Sequence, residues 1–273
     1  MPGDNEPFPS VWARPRPRRR EQPALSREQI VAAALELLDT EGIDALSMRR
    51  LGTRLNAGAT SMYTHVAGKE ELLELVVDEV YGEVEPPVAG AGWRVAVTRC
   101  AHGMRSAFLR HPWIGSVQGE AGVAYLGPNV LRLSEAVLAV FEEGGFSLEA
   151  ADQALNVVMA YVIGRSTSEA AWLTKLARGG QDEQEWAARL WPAAEQAVRD
   201  YPRLRRLYAA QRGQNLRGAR DQEFDDGLAC VLDGLATRLK PKPEPKSEPA
   251  PGPKSEPAGR VEEGGGLGSE RAG

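Results

Sequence analysis

Apolar residues recur every three or four positions along most of this chain, the spacing of one helical face. The first run is Ile30, Ala33, Ala34, Leu37 and Leu38. Ser26 precedes it with Gln29 three positions later, the reciprocal pair of a capping box, and Gly42 stops it. Met48, Leu51, Gly52 and Leu55 form the next run behind a Ser47 cap. Asn56-Ala57-Gly58 follows, and Asn and Gly tolerate the left-handed backbone of a sharp turn. A short helix after it puts Met62, Tyr63 and Val66 on one side, the Tyr63 ring half in the core. Thr60, Ser61, Thr64 and His65 lie on the other side. Lys69 opens a fourth run of Leu72, Leu73, Val76, Val77 and Val80.

The second half predicts helices near 93–110, 127–143, 148–176, 183–199 and 222–239. They are separated by His111-Pro112, Gly144-Gly145, Gly179-Gly180 and Tyr201-Pro202. Leu155, Val158, Met159, Val162 and Ile163 wrap much of one helix, which should be deeply buried. Phe224, Leu228, Val231, Leu232, Leu235 and Leu239 make a stripe along the last. No stretch alternates with period two for long enough to predict a sheet. The fold class is therefore all-α. A three-helix head occupies 26–83, its fourth helix leading into a larger helical domain at 84–239.

The ends are different material. Arg14, Arg16, Arg18, Arg19 and Arg20 carry no acidic residue between them, and Pro15 and Pro17 keep them extended. Residues 1–25 read either as a basic arm that follows a phosphate backbone or enters a minor groove, or as a solvated disordered leader. No apolar stretch follows, so they do not form a signal peptide. Residues 240–273 repeat Pro-Lys-Ser-Glu-Pro-Ala and lack the apolar residues to bury a core, which predicts disorder.

Across 273 residues the formal net charge is −5, so there is no global basic signature. No run approaches the length of a membrane span. Cys100 and Cys230 are the only cysteines; they fit a reducing cytoplasm and read as small buried hydrophobes. No phosphate loop, dinucleotide fingerprint, nucleophile elbow or metal-ligand spacing is present, so neither an enzyme, a cofactor nor a metal is expected.

The chemistry sits in 47–66. Two short helices across a tight turn, the second with small hydrogen-bonding residues and one imidazole outward, fit a major groove. They also fit an ordinary helical hairpin. The pattern Tyr63-x-His65-Val66-x-x-Lys69-x-x-Leu72-Leu73 in register behind that turn, with Ile30–Ala34, Gly42, Leu51 and Leu55, resembles the TetR family of bacterial transcriptional repressors. The resemblance implies that Arg49, Arg50, Tyr63, His65 and Lys69 meet DNA, and the outward face adds Thr60, Ser61 and Thr64 as candidates to read base edges. Asn56-Ala57 and Val66-Ala67-Gly68 depart from the family's usual residues, so no relative's operator can be borrowed.

Gly145-Phe146-Ser147-Leu148-Glu149-Ala150 and the Phe224–Leu235 stripe resemble the family's tetracycline-repressor-like C-terminal domain. That implies a homodimer built on the helix from Leu148 and the last helix, a palindromic double-stranded DNA operator and a small-molecule inducer. Met104, Phe108, Trp113, Tyr125, Met159, Tyr161 and Trp172 are candidates to line its pocket, and equally candidates for plain core. The histidines that chelate tetracycline have no counterpart, since Glu85 stands at the first position. The reading is a cytoplasmic, ligand-responsive repressor. The alternative is a helical small-molecule-binding protein without operator specificity.

Overall fold

The computed structural model describes residues 25–88, 90–120 and 126–239. Every regular element among them is helical. The head begins with α1 (Arg27–Glu41), where Ser26 and Gln29 close the capping box. Leu25 and Ile30, the two positions of a hydrophobic staple, are both buried. The expected arm therefore ends one residue early, because Leu25 belongs to the core. The rest of the arm, the tail at 240–273 and Tyr125 lie outside the described residues.

Gly42 ends α1 at φ +83, and a single 310 turn leads to α2 (Met48–Arg54), capped by the Ser47 hydroxyl. The turn after α2 is left-handed at Asn56, φ 50, whereas Gly58 is extended at φ −68 and starts α3 (Ala59–Tyr63). The glycine this turn needs is Gly52 instead. A Cβ there would stand 2.9 Å from the Ala57 carbonyl oxygen, so only a bare Cα lets the chain fold back this closely.

Helix α4 (Lys69–Gly82) packs on α1 and continues into the second helical layer. Its Leu72, Leu75, Val76, Val77, Val80 and Tyr81 are all buried. The body follows as α5 (Trp93–Arg110), α6 (Ile114–Glu120), α7 (Pro128–Glu143) and α8 (Leu148–Arg178). It ends with α9 (Glu183–Ala197), α10 (Pro202–Gln211) and α11 (Leu216–Ala236). Helix α5 lies against α7 and α8, α11 against α8, and α4 against α7 and α5. Trp93, Phe141 and Phe146 form an aromatic corner with ring centroids 5.1–5.7 Å apart.

Three features differ from the sequence reading. The last helix starts at Leu216, capped by Asn215, because its first two turns are polar and carry no stripe. Helix α10 went unread: Leu204, Leu207 and Tyr208 fall at helical spacing, but the run spans only ten residues and none of them is buried. Along α8 the burial is narrower than expected: Val158 and Val162 are buried, while Leu155, Met159 and Ile163 are half-buried. Helices α9 and α10 bury none of their own residues; only Val198, just after α9, reaches the interior.

Gly52→Ala should cost about 1–3 kcal/mol through overpacking against the Ala57 carbonyl. Thermal melts of the full chain read this as a lowered midpoint; an unchanged midpoint would mean the turn relaxes freely.

Candidate nucleic-acid interface and its attachment

Helix α3 is held from beneath by Met62 and Val66, which are buried. Its upper side presents Thr60, Ser61, Tyr63 and Thr64, all exposed, with His65 and Lys69 half-exposed beside them. Tyr63 is 53% exposed and so stands farther out of the core than its grouping with Met62 and Val66 implies. The Thr64 hydroxyl donates back to the Ser61 carbonyl at 2.6 Å.

Helix α2 carries three arginines with different surroundings. Arg49 is exposed. Arg50 pairs with Glu41 at the end of α1, and Arg54 with Glu36 at 2.5 Å. Behind the turn, Arg27 Nε donates to the His65 carbonyl at 3.3 Å, and its guanidinium lies 3.6 Å from Glu71. Glu71 in turn accepts the Ala67 amide at 3.2 Å. This brace was missed in the sequence. Its one local signal is Glu71 three positions after Gly68, half of a capping box.

Helix α4 is tied to the body by polar contacts as well as packing. Asp78 accepts the Asn129 and Val130 amides at 3.0 and 3.1 Å and the Asn129 side-chain amide at 3.0 Å, capping α7 from outside. Burial pushes its carboxyl above the ordinary value despite those bonds. Beyond the end of α4, Glu83 accepts from Arg110 Nε at 3.1 Å and lies 2.9 Å from His111 Nε2. Burial pushes Glu83 up, but the bonds and charges of Arg110 and His111 outweigh it and hold its carboxyl below 4.5. The other His111 ring nitrogen lies 2.7 Å from Asp39 of α1, whose same oxygen accepts the Trp113 indole N–H at 2.7 Å.

The described candidate pocket residues are spread over α5, the turn after it and α8. Met104 and Phe108 are fully buried on α5, Phe108 edge-on to Tyr81 at 5.9 Å. Trp113 commits its N–H toward the head. Tyr161 donates to the Phe224 carbonyl at 2.9 Å. Trp172 donates to Glu183 at 3.1 Å and meets the Trp186 ring edge-on at 4.5 Å. Tyr161 and Trp172 stand eleven positions apart on α8, roughly 16 Å along its axis. Met159, also on α8, is half-buried against the core.

Between these side chains runs an ionic network with no local sequence signal. Arg105 binds Glu169 through two bonds of 2.9 and 2.8 Å and Asp221 through one of 2.8 Å, its guanidinium 4.9 Å from the Phe224 ring centroid. Glu169 holds Arg105's pKa above its ordinary value. Arg220 joins Glu169 at 3.2 Å and also pairs with Glu183. Nearby on α8 the Ser166 hydroxyl is fully buried with no hydrogen-bond partner among the described residues. Cys100 is buried, its thiol pushed up to about 12. Cys230 is exposed on α11, against the expectation that both cysteines are interior.

Two family descriptions match the chain: "Bacterial regulatory proteins, tetR family" over residues 30–76, and "Tetracyclin repressor-like, C-terminal domain" over 86–239. An HTH-type transcriptional regulator of Saccharopolyspora erythraea is 36% identical over 83% of this chain and 91% of its own length. The HTH-type transcriptional repressor DrrR1 of Streptomyces coeruleorubidus is 32% identical over 81% and 80%. Among solved structures, ActR of Streptomyces coelicolor in complex with actinorhodin superposes with a TM-score of 0.67 at 29% identity, covering 79% of this chain and 97% of ActR.

Two outcomes follow from the buried polar groups. A carboxyl held low in the folded chain binds fewer protons there than in the unfolded chain. The contribution of Glu83 is therefore present above its ordinary 4.5 and lost as pH falls through the folded value. Glu83→Gln should flatten the fall of melting temperature between roughly pH 5 and 3; an equally steep fall would assign the acid sensitivity elsewhere. Asp78, held high, acts in the opposite sense, its contribution fading as pH rises through its folded value. Ser166→Ala removes an unpaired buried oxygen and should stabilise the chain by about 1 kcal/mol, read by denaturant titration. A loss of stability would show that the hydroxyl has a partner.

Proposed function

Because the chain belongs to the TetR family of bacterial regulatory proteins, we propose that it is a repressor that binds an inverted-repeat operator as a homodimer. A small molecule entering the helical body releases it. The observation that carries this reading is the outward face of α3. Thr60, Ser61, Tyr63 and Thr64 stand exposed above a buried Met62 and Val66, on a helix short enough to enter a major groove end-on.

In this reading Arg49 and Lys69 neutralise phosphates, and Arg50 joins them by exchanging Glu41 for DNA. Tyr63 and His65 meet the backbone or neighbouring bases, and Thr60, Ser61 and Thr64 read base edges. The outward sides of α8 and α11 pair with their copies, which puts two α3 helices about one DNA turn, roughly 34–36 Å, apart. Val157, 47% exposed on α8, would be covered there. Met104, Phe108 and Met159 supply the apolar wall for the ligand, and Tyr161 and Trp172 lie toward its ends. ActR, crystallised with actinorhodin, supports a small organic ligand in this kind of body. The ligand acts by preferring the arrangement of heads that fits DNA poorly. No described helix is long and apolar enough to cross a membrane, and the protein's place is with the DNA, in the cytoplasm.

Selection of random duplexes by the purified protein should enrich an inverted repeat, and failure to enrich any motif would overturn the reading. On the enriched duplex, Arg49→Ala or Lys69→Ala should weaken binding across sequences. Each should lower the slope of log K against log salt by about 0.9 per lost phosphate contact, about 1.8 for a dimer. An unchanged slope would remove that residue from the interface.

A further inference from the structure

The contacts around His111 have a geometry that apolar packing alone would not need. Asp39 lies in the last turn of α1, the head's first helix. Glu83 lies at the end of α4, the helix that leaves the head. The His111 ring stands between them, one nitrogen 2.7 Å from Asp39 and the other 2.9 Å from Glu83. Trp113 adds an indole N–H to the same Asp39 oxygen at 2.7 Å. His111 and Trp113 are 5% and 4% exposed, so their side of these bonds is buried, while Asp39 and Glu83 keep one edge toward solvent. Both belong to the turn between α5 and α6, in the body.

Hydrogen bonds weaken steeply with angle, so they add a directional constraint to the apolar packing of the head on the body. Two head helices fastened through one ring and one indole can rock only by breaking several bonds together. We infer that Asp39, His111 and Trp113 are positioning residues that fix the tilt of the head on the body, and thereby the spacing at which two heads meet DNA. The inference rests on the dimeric repressor reading for its consequence at DNA, but not for the joint itself. Phe108, fully buried on α5, is one helical turn before His111, so whatever α5 packs against is coupled to the tilt over about 5 Å. Loosening the joint leaves each head able to bind but adds orientational freedom that must be lost when two heads bind at once.

Trp113→Phe keeps an aromatic ring but deletes the N–H together with the pyrrole half of the indole, and Asp39→Asn keeps an acceptor and removes the charge. Each full-length variant is titrated by anisotropy against the enriched inverted repeat and against a duplex carrying one half-site. Half-site affinity and salt slope should stay within twofold of the parent, while affinity for the repeat falls tenfold or more. Parallel loss on both duplexes would show only damage to the head, and no loss on the repeat would show that tilt is set elsewhere; either overturns the inference. If the parent enriches no motif, the repressor reading fails, and the joint is tested without DNA. With Cys230→Ser, spin labels on Thr53→Cys of the head and on Glu142→Cys, exposed on α7 of the body, diluted with unlabelled protein, report the head-to-body distance. Trp113→Phe should broaden that distance distribution at least twofold; an unchanged width overturns the joint.

Discussion

The burial of α4 on almost every side is what makes one body of the head and the helices that follow. A helix at a surface shows one apolar stripe, but α4 has to satisfy two layers at once, α1 on one side and α5 and α7 on the other. Its apolar residues therefore run nearly around the barrel, and its two buried carboxylates are both occupied, Glu71 in the brace behind α3 and Asp78 in capping α7. Any displacement of the body reaches the head through this helix, because close-packed interiors shift as units rather than deform smoothly. The interface residues on α2 and α3 depend on that support while contributing little to it.

Polar and apolar fastenings divide the work. Apolar burial holds the elements together without specifying their angle closely. Asp78 and Glu83 each accept from two or more donors on a neighbouring element, and Asp39 accepts the Trp113 N–H while lying against the His111 ring, which fixes direction. The Arg105–Glu169–Asp221 network does the same for α5, α8 and α11 deeper in the body. Truncating one member of such a set leaves the others buried without a partner, which costs more than the bond itself was worth.

What was legible in the sequence was what depends on neighbours in sequence. Ser26 with Gln29, Ser47 and Ser147 are caps in the structure because a cap needs only the next three residues. The outward set on α3 could be read because Met62 and Val66 mark the inward one. Asn56 carries the left-handed turn, but Gly58 does not, since the same loop could reverse with either residue and only the approach of Gly52 to Ala57 decides. The joint at His111 was invisible, its partner Asp39 lying 72 positions away. Trp113 looked like pocket lining because an aromatic after a helix break carries no sign of where its N–H points.

The hairpin of α9 and α10 is held to the body at its first turn, where Glu183 meets Trp172 and Arg220 and Trp186 packs on the Trp172 ring, and it closes on itself through the contact of Trp191 with Tyr208. It buries none of its helical residues, so substitutions on its outer face beyond Trp186 cost the fold little. In evolutionary terms this hairpin is the part of the molecule whose surface can be rewritten at least cost to the fold. The chain can acquire new chemistry there while α4 and its fastenings stay fixed.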